Sequence, residues 1–306
     1  PEAVLAAIGI EAPPPLQDAI EASAQAGERV LLLASRPEEG AYRIEGMFRF
    51  FDPPRAEAPA AIAACRAAGI RVVMLTGDHP ATARFVAAQV GLSDGGEVPV
   101  IEGTALDGMG DQAVLRVIRG NAIFARIHPE QKLRIVTLLR QSGAVVVVAG
   151  DGINDAPALR AADVGVAMGR RGTEVAKQAA DIVLADDNFA TLVAAIEEGR
   201  SLKRNIRRFA SYVFTSNVAE VMPFLCYVFL QVPLPLAVIQ ALAIDVGTDL
   251  VPALALGAEA PAAATMQAPP EEPGRPLMTR RLALRTFLVF GLIEAALGLA
   301  AYAAFY

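Results

Sequence analysis

Three acidic side chains stand inside apolar sequence. Glu220 lies within Phe209–Val232, and Asp245 and Asp249 lie within Leu236–Leu256. Asn217 and Glu220 are three residues apart and share a helical face; Asp245 and Asp249 are four apart, with Thr248 beside them. Ionisable groups inside an apolar span are costly and mark function by default. Carboxylates together with amide, hydroxyl and carbonyl oxygens suit a hard cation. Like charges this close must either bind cations or hold protons. Gly247 and Pro252 weaken the local helical hydrogen bonding and can free carbonyl oxygens as further ligands. Ser216 and Gln240 read more simply as polar contacts between helices. Glu294, in a third apolar run, fits packing and function equally.

A second constellation lies in the first two thirds of the chain. The run Gly150-Asp151-Gly152-Ile153-Asn154-Asp155-Ala156-Pro157 places two carboxylates and an amide in one glycine-bearing loop. Mg²⁺ takes one or two carboxylates plus phosphate oxygens and water, so Asp151 and Asp155 are the expected ligands. Thr76-Gly77-Asp78 offers a hydroxyl and open backbone N–H groups just before a helix, a place where phosphate can sit. Lys132, early in another helix, can neutralise a phosphoryl group. Alone, each has an ordinary explanation: a cap, a turn before a proline-started helix, a solvated lysine.

These residues need elements to hold them. Ile70–Leu75 (apolar but for Arg71), Ile123–Ala125, Ala144–Ala149, Val164–Ala167 and Ile182–Leu184 are short runs with the length of buried strands. Helical patterns alternate with them over Ala56–Ala68, Pro80–Val90, Pro129–Arg140 and Glu174–Ala180. Such alternation predicts a parallel α/β sheet with helices on both faces. Its ligands belong at the carboxyl ends of the strands, where Thr76–Asp78 and Asp151–Asp155 fall. Residues 1–47, with a helix near Pro15–Ala26 and strands at Arg29–Ala34 and Tyr42–Phe48, are too short for a core of their own. Residues 48–190 form the α/β domain, 191–208 a linking helix, and 209–306 three membrane helices at about 209–232, 236–256 and 283–306. Each is long enough to cross about 30 Å of hydrocarbon. Ala260–Pro276 reads as a linker or loop.

Lys203, Arg204, Arg207 and Arg208 precede the first run, and Arg275, Arg280, Arg281 and Arg285 lie between the second and third. Gln231–Pro235 has neither Lys nor Arg. The positive-inside rule then puts the α/β domain in the cytoplasm. A hydrophobic fraction of 54% agrees with a membrane part, and a net charge of −6 sets nucleic acid aside as a partner. Cys65 and Cys226 form no CxxC pair and give no disulfide framework. The chain opens on Pro1 and ends at Tyr306 inside an apolar run, so it reads as a piece of something longer.

Taken together, TGD, Lys132 and GDGINDAP resemble the later motifs of the haloacid-dehalogenase fold, in the wording of P-type ATPases. The resemblance runs over almost the whole chain and implies an α/β phosphorylation domain followed by an all-α transmembrane bundle. It implies that Thr76 and Gly77 hold the transferred phosphoryl group and that Asp78 supports the nucleotide side. Lys132 would stabilise the charge, Asp151 would coordinate Mg²⁺, and Asn154 and Asp155 would support the site. Arg29, Arg126 and Arg55, the last in the hinge-like Asp52-Pro53-Pro54-Arg55, match positions near ATP. Thr215-Ser216-Asn217…Glu220 and Asp245…Asp249 resemble the fifth and sixth helices of type II pumps. Asp245 agrees with sodium/potassium pumps and departs from calcium pumps of the sarcoplasmic reticulum kind, which carry Asn there. The expected partners are ATP, Mg²⁺, membrane lipid and a transported cation: Ca²⁺, Na⁺, K⁺ or H⁺. The composition hints at a bacterial plasma membrane.

The family's phosphorylated DKTG and its TGE loop occur nowhere in the chain. The expectation is therefore a fragment that relies on a missing N-terminal part of the same polypeptide. The alternatives are a membrane-tethered phosphatase of the same fold, which would need its own aspartate nucleophile, and a non-catalytic remnant.

Overall fold

A computed structural model describes residues 1–306 apart from 38–39, 94–97, 121, 231, 235 and 306. The chain divides into two units, Pro1–Val193 and Ala194–Tyr306. In the first unit, helices α1 (Glu2–Ile8) and α2 (Pro14–Gln25) lead into an antiparallel hairpin of β1 (Arg29–Ser35) and β2 (Arg43–Phe50), with a register shift at Leu33/Ala34. The second strand therefore runs past residue 47, across the expected domain boundary.

The alternating part follows: α3 (Ala58–Ala67), β3 (Met74–Leu75), α4 (Pro80–Gln89), β4 (Val100–Glu102), α5 (Gly103–Asp107), α6 (Asp111–Arg119), β5 (Ile123–Ala125), α7 (Pro129–Gln141), β6 (Val147–Gly150), α8 (Ala156–Ala161), β7 (Val164–Met168), α9 (Glu174–Ala179) and β8 (Ile182–Leu184). Among the described residues the strands form two parallel sheets, ordered β3–β5–β4 and β6–β7–β8. One continuous sheet was expected.

The difference shows in two strands. Ile70–Leu75 was expected to be extended and buried throughout, yet only Met74–Leu75 pairs, and both are half-buried. Ala144–Ala149 was expected likewise, yet pairing begins at Val147 and Val145 is 66% exposed. Each is an edge strand, paired on one side only, β3 with β5 and β6 with β7. An edge strand leaves its outer N–H and C=O groups unpaired, and half the ladder holds less chain in register.

The core is built around β5. Phe124 points into a cluster with Leu106, Val114, Ile118 and Ile135, while Ile123 and Ala125 point the other way, towards Ile62, Ala83 and Ala87. This alternation puts α5, α6 and α7 on one face and α3 and α4 on the other. Helix starts are tied down by side chains. His79 Nδ1 accepts from Ala81 N at 3.2 Å, Thr173 Oγ1 from Ala176 N at 3.3 Å, and Gln131 Oε1 from His128 N at 2.9 Å.

Helix α10 runs without a break from Phe189 to Leu230, with Pro223 inside it. The linking helix and the first span are one element, which ends before Val232. The second unit continues with helices over Val238–Gly257 and Arg280–Ala304. With α10 these are, among the described residues, three helices long and apolar enough to cross a membrane. Both ends of the expected Gln231–Pro235 loop, and Tyr306, lie outside the described residues. Large apolar side chains stand exposed on all three, among them Phe229 at 76% and Val238 at 86%. Such surface is costly in water and ordinary against lipid.

The stretch Ala260–Pro276 is pinned to α10. Arg200 donates to Ala268 O at 2.8 Å and Asn205 to Glu259 O at 2.6 Å, while Lys203 and Arg207 both pair with Glu271. Arg207 and Lys203 hold the Glu271 carboxyl down at about 2, and the bond to Glu271 in turn pushes the Arg207 guanidinium up.

Candidate functional site

In the first unit each strand-end motif is tied by hydrogen bonds to the segment of β5 and α7. Thr76 N donates to Phe124 O at 2.9 Å, which seats the end of β3 on β5. Thr76 Oγ1 bonds Asp78 Oδ2 at 2.9 Å and accepts from Asp78 N at 3.1 Å, closing the Thr76–Asp78 turn on itself. Arg126 N donates to Asp78 O and Ile127 N to Thr76 O, at 3.1 and 3.2 Å. Arg126 has a left-handed φ of 49°, a conformation that costs a non-glycine residue and fits a tight crossover between β5 and α7.

One turn into α7, Lys132 Nζ meets Asp155 Oδ1 at 2.7 Å, with both side chains largely buried. The other oxygen of Asp155 accepts from Gly152 N at 3.1 Å and Asp151 N at 3.3 Å. The loop needs glycine at 150, because a Cβ there would stand 2.6 Å from Asp155 Cβ. Asp155, expected as a second metal ligand, thus spends both oxygens on donors from its own unit. Asp151 and Asn154 are exposed, and the Asp151 carboxylate makes no hydrogen bond or ion pair among the described residues. It is the carboxylate with oxygens to spare, and Thr173 N fixes its backbone by donating to Asp151 O at 2.9 Å.

Of the three arginines expected near nucleotide, Arg29 lies exposed on β1 and Arg126 exposed in the crossover. Arg55 lines a cleft of about 480 Å³ with Asp52, Pro53, Pro54, Val86 and Arg171. Nothing in the described structure draws the three together. Asp187 was not anticipated. It is 5% exposed, has a φ of 57°, and accepts from Arg170 N at 2.8 Å and Arg171 N at 3.0 Å, which lower its carboxyl. It thereby sets the backbone that presents Arg171 to the cleft. No local pattern in the sequence marks an aspartate with that backbone.

In the second unit Glu220, Asp245 and Asp249 come together, each offering an oxygen within 4.8 Å of the others. Glu220 Oε1 is a buried atom with no hydrogen-bond partner among the described residues. The second helix opens into a π turn over Asp245–Asp249, flanked by α-helix on both sides. Such a turn widens the helix and commonly marks a functional site. Thr248 Oγ1 donates to Ile244 O at 2.7 Å and lies 3.3 Å from Asp249 Oδ1. Tyr212, which the sequence reading missed, donates to Thr248 O at 3.0 Å and reaches Asp249 Oδ1 at 3.5 Å. A tyrosine in an apolar run reads as packing, so no signal separated it. Asn217 and Glu294 are exposed and stand outside the carboxylate trio.

Known families divide the chain in the same way. Residues 2–163 match the family model described as haloacid dehalogenase-like hydrolase, and residues 133–196 match a second model with the same description. Residues 233–306 match the model for the cation transporting ATPase C-terminus. Over 286 residues, 85% of the chain, it is 42% identical to the sodium/potassium-transporting ATPase subunit alpha of Drosophila melanogaster. It is also 42% identical over 283 residues to subunit alpha-3 of Gallus gallus, and 41% identical over 286 to subunit alpha-B of Artemia franciscana. The chain covers 84% and 85% of its own length in those two matches, and spans 28% of the length of each of these relatives.

Proposed function

Because the chain belongs to the P-type cation-transporting ATPases, within the haloacid dehalogenase-like hydrolases, we propose that it serves ATP-driven cation transport across a membrane. The observation that carries this reading is the trio Glu220, Asp245 and Asp249 with its orphaned buried oxygen. Three carboxylates in so small a space repel one another, and a cation is what relieves them. The cation is cargo, and Na⁺, K⁺, Ca²⁺ and H⁺ are all compatible with an oxygen set of this kind. Thr248 and the carbonyls loosened by the π turn supply neutral ligands, and Asn217 lies one turn away on α10.

In the α/β unit, Thr76 and Gly77 bind the transferred phosphoryl group, Asp78 supports the nucleotide side and Lys132 faces the phosphoryl charge. Asp155 holds Lys132 in place and Asn154 borders the site. Asp151 is the residue fitted to hold Mg²⁺, because its carboxylate is exposed at a strand end and unspent. The ion would neutralise phosphate charge, and positioning of this sort supplies most of the catalysis in phosphoryl transfer. Arg55 and Arg171, in one cleft, are placed to meet the polyphosphate of ATP, with Arg29 and Arg126 as further contacts.

The aspartyl-phosphate is made on pump sequence outside these 306 residues, since DKTG is absent from them. The α/β unit faces the cytoplasm of a bacterial cell, by the basic flanks of the first and third spans and the absence of Lys and Arg between Leu230 and Val238. Two outcomes follow. Incubated with ATP and Mg²⁺, the chain alone takes up no acid-stable, hydroxylamine-sensitive phosphate; such phosphate would refute the reading that its nucleophile lies elsewhere. In a pump polypeptide containing this chain, Asp249→Asn abolishes cation-stimulated ATP hydrolysis, and unchanged stimulation would remove the cation site.

A further inference from the structure

A second polar feature of the membrane unit takes no part in the cation site. Between α10 and the start of the third span lies a cleft of about 450 Å³, whose lining includes Arg204, Arg207, Arg208 and Arg285 together with Leu282 and Phe290. Two of the arginines are spent internally, Arg207 on Glu271 and Arg208 on Glu259. The other two have no carboxylate partner among the described residues, where Arg204 donates to the hydroxyls of Thr265 and Ser201 and its buried Nε meets no acceptor. Arg285 forms no ion pair among the described residues, and its guanidinium lies 5.4 Å from the centre of the Phe290 ring. The cleft therefore carries net positive charge and has donors to spare.

Its position selects the ligand. Arg204–Arg208 immediately precede the apolar run that starts at Phe209, and Arg285 precedes the exposed apolar run Phe287–Phe290. The arginines mark the edge of the hydrocarbon, and Leu282 and Phe290 line the same cleft with apolar surface. A free phosphate would gain nothing from that surface, whereas an amphiphile with a phosphate head and acyl chains uses both parts. Basic pockets between membrane helices hold anionic headgroups for this reason. We propose that this cleft binds one anionic phospholipid from the leaflet on the basic side. The lipid phosphate lies between Arg204 and Arg285, and its chains run over Leu282 and Phe290. The site also borders Tyr212, whose hydroxyl donates to Thr248 O beside the carboxylate trio, so its occupant touches the frame of the cation site.

The inference rests on the membrane reading and not on ATP or cation chemistry. Native mass spectrometry of the detergent-solubilised chain, titrated with phosphatidylglycerol and with phosphatidylcholine, tests it. The expected result is one phosphatidylglycerol held in preference to phosphatidylcholine. Arg285→Gln should weaken it about fivefold, and the Arg204→Gln/Arg285→Gln pair roughly 25-fold if the two act independently. Arg275→Gln/Arg280→Gln, outside the cleft, should stay within about twofold. Arg285 is exposed, so its single variant reports binding even if the double variant misfolds. Equal affinity for both lipids, an equal loss in the Arg275/Arg280 variant, or displacement by excess inorganic phosphate overturns the proposal. A chain that fails to enter phosphatidylcholine vesicles sinks the membrane reading; one that enters without discriminating sinks only the lipid site.

Discussion

Asp155 is held by three donors, and that fixes what its neighbours can do. With Lys132 Nζ at 2.7 Å on one oxygen and two backbone N–H groups on the other, it is the post on which the loop is hung. Replacing Lys132 by Met leaves a largely buried carboxylate without its cation. Unfolding should then cost about 1–3 kcal/mol less, measurable by thermal or urea denaturation. Gly150→Ala should act on the same post by contact, since the new methyl meets Asp155 Cβ at 2.6 Å. The expected result is weaker Mg²⁺ binding at Asp151, read by titration calorimetry; unaltered binding would show that the loop adjusts without cost. The motif residues were legible in the sequence because their types and order are specific. Their division of labour was not. Two aspartates in one loop look alike on paper, and only the fold reveals that one faces Lys132 and the other faces solvent.

Elements show the same limit differently. The three spans were legible from length and apolarity alone, and their ends moved by only a few residues. The strands beside open edges were overestimated, because stretches such as Ile70–Val73, apolar but for Arg71, carry no mark of how many neighbours a strand will have. The π turns at Asp245–Asp249 and Arg285–Phe290 were not readable, although Gly247 and Pro252 hinted at weakened bonding in the first. Contact between the first and third spans depends on Gly291, where a Cβ would lie 2.7 Å from Val218 Cβ. Gly291→Leu should force these helices apart at about 1–3 kcal/mol, seen as a lower unfolding midpoint in detergent. The loop pinned by Glu271 supplies a pH test. Its carboxyl sits at about 2 when folded against an ordinary 4.5, so its contribution is full above 4.5 and is lost as pH falls through about 2. Glu271→Gln should flatten the acid limb of the unit's stability curve, and an unchanged limb would show that other carboxylates set it.

At the scale of the whole molecule, the chain divides into two units, to which we assign two different chemistries. One is the α/β unit around Phe124, where Phe124→Ala should cost about 3–5 kcal/mol of that unit's stability. The other is a helical bundle in which Glu220, Asp245 and Asp249 come within reach of one another, where we propose that a cation binds. The alternation of short strands and helices foretold the α/β unit, and the spacing of acids within apolar runs foretold that Glu220, Asp245 and Asp249 would approach one another. What the sequence withheld was the join between neighbours: which strands pair, which helix faces meet, and that a tyrosine braces the acid cluster. The proposed cation transport turns on the trio of Glu220, Asp245 and Asp249. The direct measurement is equilibrium binding of Na⁺, K⁺ and Ca²⁺, by titration calorimetry, to the chain in lipid nanodiscs and to its Asp249→Asn variant. At least one of these cations should bind, and Asp249→Asn should weaken it tenfold or more, about 1.4 kcal/mol. Binding that survives the substitution unchanged, or no binding of any of the three by the intact trio, would contradict a cation site there.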